Sequence, residues 1–232
     1  MTSPTLVFDL DGTLAETAPD LIDALNHVLA EDGIGPVPLD AARALVGAGA
    51  RALIERGYAL GGRALTKERL DAQFADFLKF YNAHIADKSA LFPGVEACLD
   101  RCRAEGWTLA VCTNKLEHSS NLLLERLGVR HRFAFVCGQD TFGIAKPDPK
   151  PLVETVRSAG GQISSSLMIG DSVTDIRTAR AAGMPVIAVD FGYTDIPVAQ
   201  LGPDRVISHF DELFEAAREM VGRKVSGKSG VP

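Results

Sequence analysis

Two aspartates, Asp9 and Asp11, stand two positions apart at the end of the apolar run Leu6-Val7-Phe8. The run predicts a buried strand aimed at the carboxylates. Residues i and i+2 of an extended backbone share a side, so the two acids face the same way and repel. A folded protein tolerates that repulsion when a cation or a shared proton relieves it. Gly12 then lets the chain turn where a side chain would block it. Taken alone, Asp9-Leu10-Asp11-Gly12-Thr13 admits two readings. One is a metal site with a carboxylate nucleophile; the other is an acidic surface turn, for which Asp-Gly is an ordinary dipeptide.

The elements that must hold these residues fall into two regimes. From 16 to 90 the pattern is helical. Leu21, Leu25, Val28 and Leu29 fall at helical spacing behind Thr17 and Asp20, a candidate capping box. A Gly/Pro break at Gly33–Pro38, a short helix at Leu39–Val46, Gly47-Ala48-Gly49 and a helix at Ala50–Leu60 follow. Leu70, Phe74, Phe77, Leu78, Tyr81 and Ile85 mark another amphipathic helix, and no strand pattern interrupts Glu16–Ala90. From Leu91 helices at Gly94–Glu105, Leu116–Leu127, Pro149–Ala159 and Val173–Ala182 alternate with strands at Trp107–Cys112, Phe133–Val136, Leu167–Ile169 and Val186–Val189. Such alternation predicts an α/β fold, a parallel sheet with helices on both faces. A helical insert interrupts it just after the first strand. Gly222–Pro232, rich in Gly and Ser, reads as a frayed tail.

Ligands of an open parallel sheet sit beyond the carboxyl ends of its strands. Asp9 and Asp11 follow the first strand, Thr113 and Asn114 the second, Lys146-Pro147 the third after a loop, and Gly170-Asp171 the fourth, with Asp175 a helical turn on. Each has a plainer reading. Thr113-Asn114 can cap the next helix, and Lys146 can be a solvated loop lysine. Asp148 and Pro149 read as N-cap and first helical residue, and Ser172-Val173-Thr174-Asp175 matches a capping box. Jointly, acids, a hydroxyl and an amine on one rim are what phosphoryl chemistry over a hard divalent cation requires. Mg²⁺ favours a few carboxylate oxygens, waters and a substrate phosphate oxygen.

A net charge of −6 argues against a general nucleic-acid binder, which needs a cationic surface, but not against a small anionic substrate. The longest run without a charged residue, Ser158–Gly170, is too short to span a bilayer, so no membrane partner is expected. No basic-then-apolar leader opens the chain. Cys98, Cys102, Cys112 and Cys137 form no C-x-x-C pair and read as buried reduced thiols. The expected location is cytoplasmic.

Together the pieces resemble the haloacid dehalogenase-like hydrolase superfamily. Asp9-Leu10-Asp11-Gly12-Thr13-Leu14 is similar to its first motif, Thr113 to its second, Lys146-Pro147 to its third and Gly170-Asp171-Ser172-Val173-Thr174-Asp175 to its fourth. Pro19-Asp20-Leu21, Val46-Gly47-Ala48-Gly49 and Thr113-Asn114-Lys115 look most like its phosphoglycolate phosphatase branch. Glu16 stands where that branch usually carries Asp, a departure that bears on the hinge and the substrate rather than on the reaction. The resemblance implies a Rossmann-like core over 1–15 and 91–221, an α-helical cap domain of the first cap class over 16–90, and a flexible tail over 222–232.

It further implies a phosphoric monoester hydrolase with Mg²⁺ as cofactor. Asp9, the main-chain carbonyl of Asp11, and Asp171 would bind the metal, with Asp175 assisting through water or by orienting a neighbour. Asp9 would be the nucleophile, forming an aspartyl-phosphate, and Asp11 the proton donor and later the base. Thr113, Asn114 and Lys146 would contact the substrate, Lys146 also neutralising developing charge. The implied partner is a small phosphorylated metabolite, 2-phosphoglycolate first, with monomer and homodimer both open. Alternatives are a phosphatase for another substrate such as N-acetylmuramic acid 6-phosphate, a phosphosugar mutase sharing all four motifs, and a silent phospholigand-binding protein, for which a damaged motif would be expected and none is found. A haloacid dehalogenase is disfavoured because Asp11 is present. A carboxylate substrate favours a cationic partner; Arg43, Arg51, Arg56 and Arg63 lie in the insert, but solvent-facing helix positions account for most of them and none is assigned.

Overall fold

The structure, a computed structural model, describes residues 3–39, 46–47, 49–194 and 196–226. At its centre lies β1 (Thr5–Phe8), buried along its whole length. Its alternate side chains enter two separate apolar clusters, Leu6 and Phe8 in one and Val7 in the other. A strand apolar on both faces needs cover on both. β4 (Thr108–Cys112) and β6 (Ser166–Gly170) flank it in parallel, with Phe8 level with Val111 and Ile169. β5 (Phe135–Cys137) lies outside β4, and β7 (Val186–Val189) and β8 (Arg205–Ile207) lie outside β6. The resulting order, β5-β4-β1-β6-β7-β8, is parallel throughout.

Helices cover both faces, as the alternation predicts. α6 (Pro149–Ser158) and α7 (Val173–Ala181) bring Leu152, Val156, Ile176 and Ala179 against the Val7 face. α4 (Val95–Ala104), α5 (Glu117–Arg126) and α8 (Leu213–Ser226) supply Leu99, Leu123 and Phe214 to the other. β8 and α8 escape the sequence reading. β8 has three residues, too few to show a period, and α8 continues to Ser226, past Gly222, where a tail is expected from sequence. One glycine costs a helix only about 1 kcal/mol relative to alanine, which need not end it.

Between β1 and α4 the chain leaves the sheet. β2 (Ala15–Glu16) leads out and β3 (Ala90–Leu91) leads back, and the two pair antiparallel, Glu16 opposite Ala90. This corrects the strand-free stretch expected from Glu16 to Ala90. A two-residue ladder between distant segments has no periodicity to read. Within the excursion lie α1 (Ala18–Glu31), α2 (Ala50–Leu60) and α3 (Lys67–Ala83). α3 starts before its first apolar residue because the Thr66 hydroxyl accepts the Arg69 N–H. Most of the short helix expected at Leu39–Val46, including Arg43, lies outside the described residues, as does Ala48. No helix among the described residues is long and apolar enough to cross a membrane.

The capping box expected of Thr17 and Asp20 does not form. Thr17 makes no side-chain cap. Buried Asp20 instead braces the returning linker, accepting hydrogen bonds from Lys88 N (3.1 Å), Ser89 N (2.8 Å) and Ser89 Oγ (2.6 Å). Asp20→Ala should strand these donors and lower the unfolding free energy by about 3 kcal/mol. Urea denaturation checks this, and a loss below about 1 kcal/mol would show that the brace is incidental.

Candidate active site

The strand order places β1 at a topological switch point. The chain runs outward from β1 through β4 to β5, then returns to β6 on β1's other side. Crevices for ligands open where such an order reverses. Asp9 sits there, its N–H continuing the ladder to the Ile169 carbonyl (2.8 Å), while Thr113 N does the same to Cys137 O (3.0 Å). Asp171 follows β6 directly. Gly12, at φ +79°, turns the chain away, and a Cβ there would come within 2.6 Å of Asp171 Oδ2. Only glycine permits both that backbone and that approach.

Asp9, Asp171 and Asp175 each offer a carboxylate oxygen within 4.8 Å of the others, and all three are buried. One cation faces them. Lys146 Nζ lies 2.6 Å from Asp175 Oδ1 and 3.0 Å from Asp9 Oδ1. Burial pushes the Lys146 ammonium pKa down, but Asp175 and Asp9 more than offset it, so the lysine stays charged. Burial drives the Asp171 carboxyl up to about 8, reinforced by the charges of Asp175 and Asp9, against donors from Tyr193 N (2.7 Å) and Thr13 Oγ1 (3.0 Å). Asp9 rises to about 6, chiefly through burial, with Lys146 opposing. Three hard-oxygen donors against one ammonium make a donor set suited to a divalent cation such as Mg²⁺.

Asp175 serves its own helix, as the capping box predicts, and Lys146 as well. Its Oδ2 accepts from Ser172 N and Oγ, closing the capping box of α7, and its Oδ1 takes Lys146. Asp148 caps α6, as expected, by accepting from Lys150 N. Lys146 is no solvated loop lysine; it is 5% exposed. Thr113 and Asn114 do not cap α5, whose N-cap is Leu116. The Asn114 side chain instead bonds the Lys146 backbone both ways, to O (3.1 Å) and from N (2.9 Å), and so fixes the loop that carries the lysine. Asp11 stands apart from the three-carboxylate group. Its oxygens are each 2.9 Å from Lys115 Nζ, and Oδ1 also accepts from Thr17 Oγ1 (2.7 Å).

Several of these residues carry no role in the sequence reading. Lys115 and Tyr193 both follow strands, β4 and β7, so reading every strand end would have reached them. Thr13 gives no such signal, because its partner Asp171 is distant in the chain. A cavity opens between this rim and the insert, lined by Asp9, Asp11, Thr113 and Lys115 below and by Leu53, Phe77 and Tyr81 above. Of the insert's arginines, none of which the sequence assigns to the site, Arg51 pairs with Asp71 in solvent and lies over Phe74, and Arg63 borders a separate cleft near Gly33–Pro38.

The haloacid dehalogenase-like hydrolase family model matches residues 6–189. The chain is 50% identical over 222 residues to a phosphoglycolate phosphatase of Mesorhizobium japonicum, covering 95% of this chain and 98% of that one. It is 44% identical to a phosphoglycolate phosphatase of Agrobacterium fabrum, covering 96% and 95%. The crystal structure of a "predicted phosphoglycolate phosphatase" from Haemophilus somnus superposes with a TM-score of 0.87 at 28% identity, over 93% of this chain and 98% of that one.

Unfolded, the site carboxylates titrate near 3.8; folded without a cation, Asp9 does so at about 6 and Asp171 at about 8. The folded state therefore binds more protons over that interval, and the metal-free protein loses stability as pH rises from about 4 to about 8. Urea midpoints measured in EDTA should fall across the interval, and fall less in Asp171→Asn. A midpoint that climbs instead would contradict the raised values.

Proposed function

The chain belongs to the haloacid dehalogenase-like hydrolase family, and we propose that it is a Mg²⁺-dependent cytoplasmic phosphatase that hydrolyses 2-phosphoglycolate through an aspartyl-phosphate. The observation that carries the reaction is the buried group of Asp9, Asp171 and Asp175 around Lys146 at the sheet's switch point. The substrate follows the name borne by the relatives, which match along nearly the whole chain.

Each residue has a role its contacts support. Among the described residues, the contacts to the Asp9 carboxylate fall on Oδ1, a hydrogen bond from Leu10 N and an ion pair with Lys146. Oδ2 is thus the oxygen that attacks phosphorus. As the Asp9 O–P bond forms, the ester P–O bond breaks and Asp11 protonates the departing alkoxide. Water then attacks the phosphorus, Asp11 takes its proton, and phosphate leaves as Asp9 is regenerated. Thr113 Oγ1 already accepts from Lys115 N (3.3 Å), so its own hydrogen is available to a phosphoryl oxygen. Lys146 has three N–H donors and two carboxylate neighbours, which leaves one for the same purpose. Asp175, both of whose oxygens hold protein donors, fixes Lys146; Asp9, the Asp11 carbonyl and Asp171 would hold the metal. Bound Mg²⁺ supplies positive charge that keeps Asp9 ionised and polarises the phosphoryl group. The insert acts as the cap, excluding water and reading the leaving group. Uncatalysed phosphate-monoester hydrolysis is so slow that accelerations reach ~10²¹, so positioning and fixed charge must share the task.

A phosphate-release screen over small phosphorylated metabolites should rank 2-phosphoglycolate highest in kcat/KM, with EDTA abolishing turnover and Mg²⁺ restoring it. Asp9→Asn should fold and lose at least ~10³-fold in kcat; turnover near wild type would remove Asp9 as nucleophile. Return of phosphate to the substrate, with none released, would mark a mutase instead.

A further inference from the structure

We propose that Lys115 and Tyr81 form the subsite that reads the carboxylate of the substrate's leaving group, an inference that rests on the 2-phosphoglycolate reading. Lys115 comes from the core loop after β4, and Tyr81 from α3 of the insert. Both are buried, both line the cavity beside Asp9 and Asp11, and Lys115 Nζ lies 4.6 Å from the centre of the Tyr81 ring. The substrate carboxylate would thus bridge core and insert.

Three observations point to an anion there. First, Lys115 is the one Lys or Arg among the described residues lining the cavity, whose wall on the insert side is apolar. An anionic leaving group that sheds water against that wall meets, among the described lining residues, the Lys115 cation alone. Second, Tyr81 is 1% exposed, and although the Lys115 ammonium lies beside its hydroxyl oxygen, its O–H finds no acceptor among the described residues. A buried O–H left unpaired is costly, and a native protein that keeps one calls for an absent acceptor. Third, Lys115 Nζ lies 2.9 Å from both Asp11 carboxylate oxygens, and its remaining N–H, on hand for the neighbouring Tyr81 oxygen, can be shared with an added acceptor. Burial opposes the Lys115 charge, but Asp11 and Tyr81 more than offset that; burial raises the Tyr81 phenol to about 12 and keeps it a donor.

The spacing is that of the substrate. Asp11 delivers its proton to the ester oxygen, and in 2-phosphoglycolate the carboxylate carbon lies two bonds from that oxygen. A cation gripping Asp11 is therefore within reach of a carboxylate so placed. A neutral alcohol of the same size offers neither partner an anion.

The test compares 2-phosphoglycolate with 2-hydroxyethyl phosphate, in which a neutral hydroxymethyl group replaces the carboxylate, and reads the ratio of their kcat/KM values. In Lys115→Met both rates fall, because Asp11 loses its ionic partner, but the ratio should fall about 30-fold further, as the loss of a charge-assisted hydrogen bond implies. In Tyr81→Phe the ratio should fall about 10-fold, while the thermal midpoint holds or rises because an unpaired hydroxyl has been removed. Tyr81→Phe preserves the ring and serves as the readout even where Lys115→Met folds poorly. A wild-type preference for the carboxylate ester that survives both variants overturns the subsite alone. A wild-type enzyme with no such preference overturns both the subsite and the substrate reading.

Discussion

Mutual repulsion among buried carboxylates is the constraint on which the rest of this structure depends. Asp9, Asp171 and Asp175 converge out of water with a single ammonium, that of Lys146, between them. Such a group stays assembled only if its members are pinned by something stronger than their own preference. Backbone N–H groups supply much of the pinning: Leu10 N on Asp9, Tyr193 N on Asp171, and Ser172 N on Asp175. The Thr13 and Ser172 hydroxyls add to it. Steric closeness does the rest. Gly12 and Gly192 press so near Asp171 that a Cβ at either would lie within 2.6 Å or 2.2 Å of its side chain. The site is therefore held poised for positive charge that the polypeptide does not itself provide.

The fold explains why this repulsion collects where it does. A parallel sheet points every strand the same way, so residues after β1, β4 and β6 arrive together at one edge. The reversal of strand order beside β1 leaves a crevice there. The helical insert departs a few residues after the nucleophile candidate and returns through β3, whose partner is β2. The insert and Asp9 are thus neighbours in chain as well as in space, with Leu14 O accepting from Phe92 N (3.1 Å) where the two linkers meet the core.

The sheet, its helices on both faces and the rim residues were legible from sequence because each rests on a local pattern: an apolar run, a helical period, a polar residue at a strand end. What the sequence concealed was non-local. Thr17 looked like an N-cap, yet the first N–H groups of α1 are satisfied by the Tyr193 hydroxyl, which accepts from Thr17 N (2.7 Å) and Ala18 N (3.0 Å). Thr17 is thereby released to bond Asp11. Asn114 offered itself as a cap, and its side chain instead holds the Lys146 peptide across two loops. No propensity within a short window reports a partner that the fold brings from elsewhere.

Tyr193 also joins what would otherwise be separate parts. Its N–H holds Asp171 in the carboxylate group, and its hydroxyl donates to Glu16 Oε1 (2.5 Å) at the root of the insert. Glu16, the residue whose length departs from the branch's usual aspartate, reaches the phenol and also accepts from Ala18 N (3.3 Å). Asp171 and the first turn of α1 are therefore both touched by one rigid aromatic residue, Tyr193. Because packed elements move as units rather than deforming smoothly, the position of α1 and the placement of Asp171 are coupled by contact. Glu16 meets that contact at the root of the insert. Charge at the rim and the stance of the insert are then two readings of one arrangement of bonds.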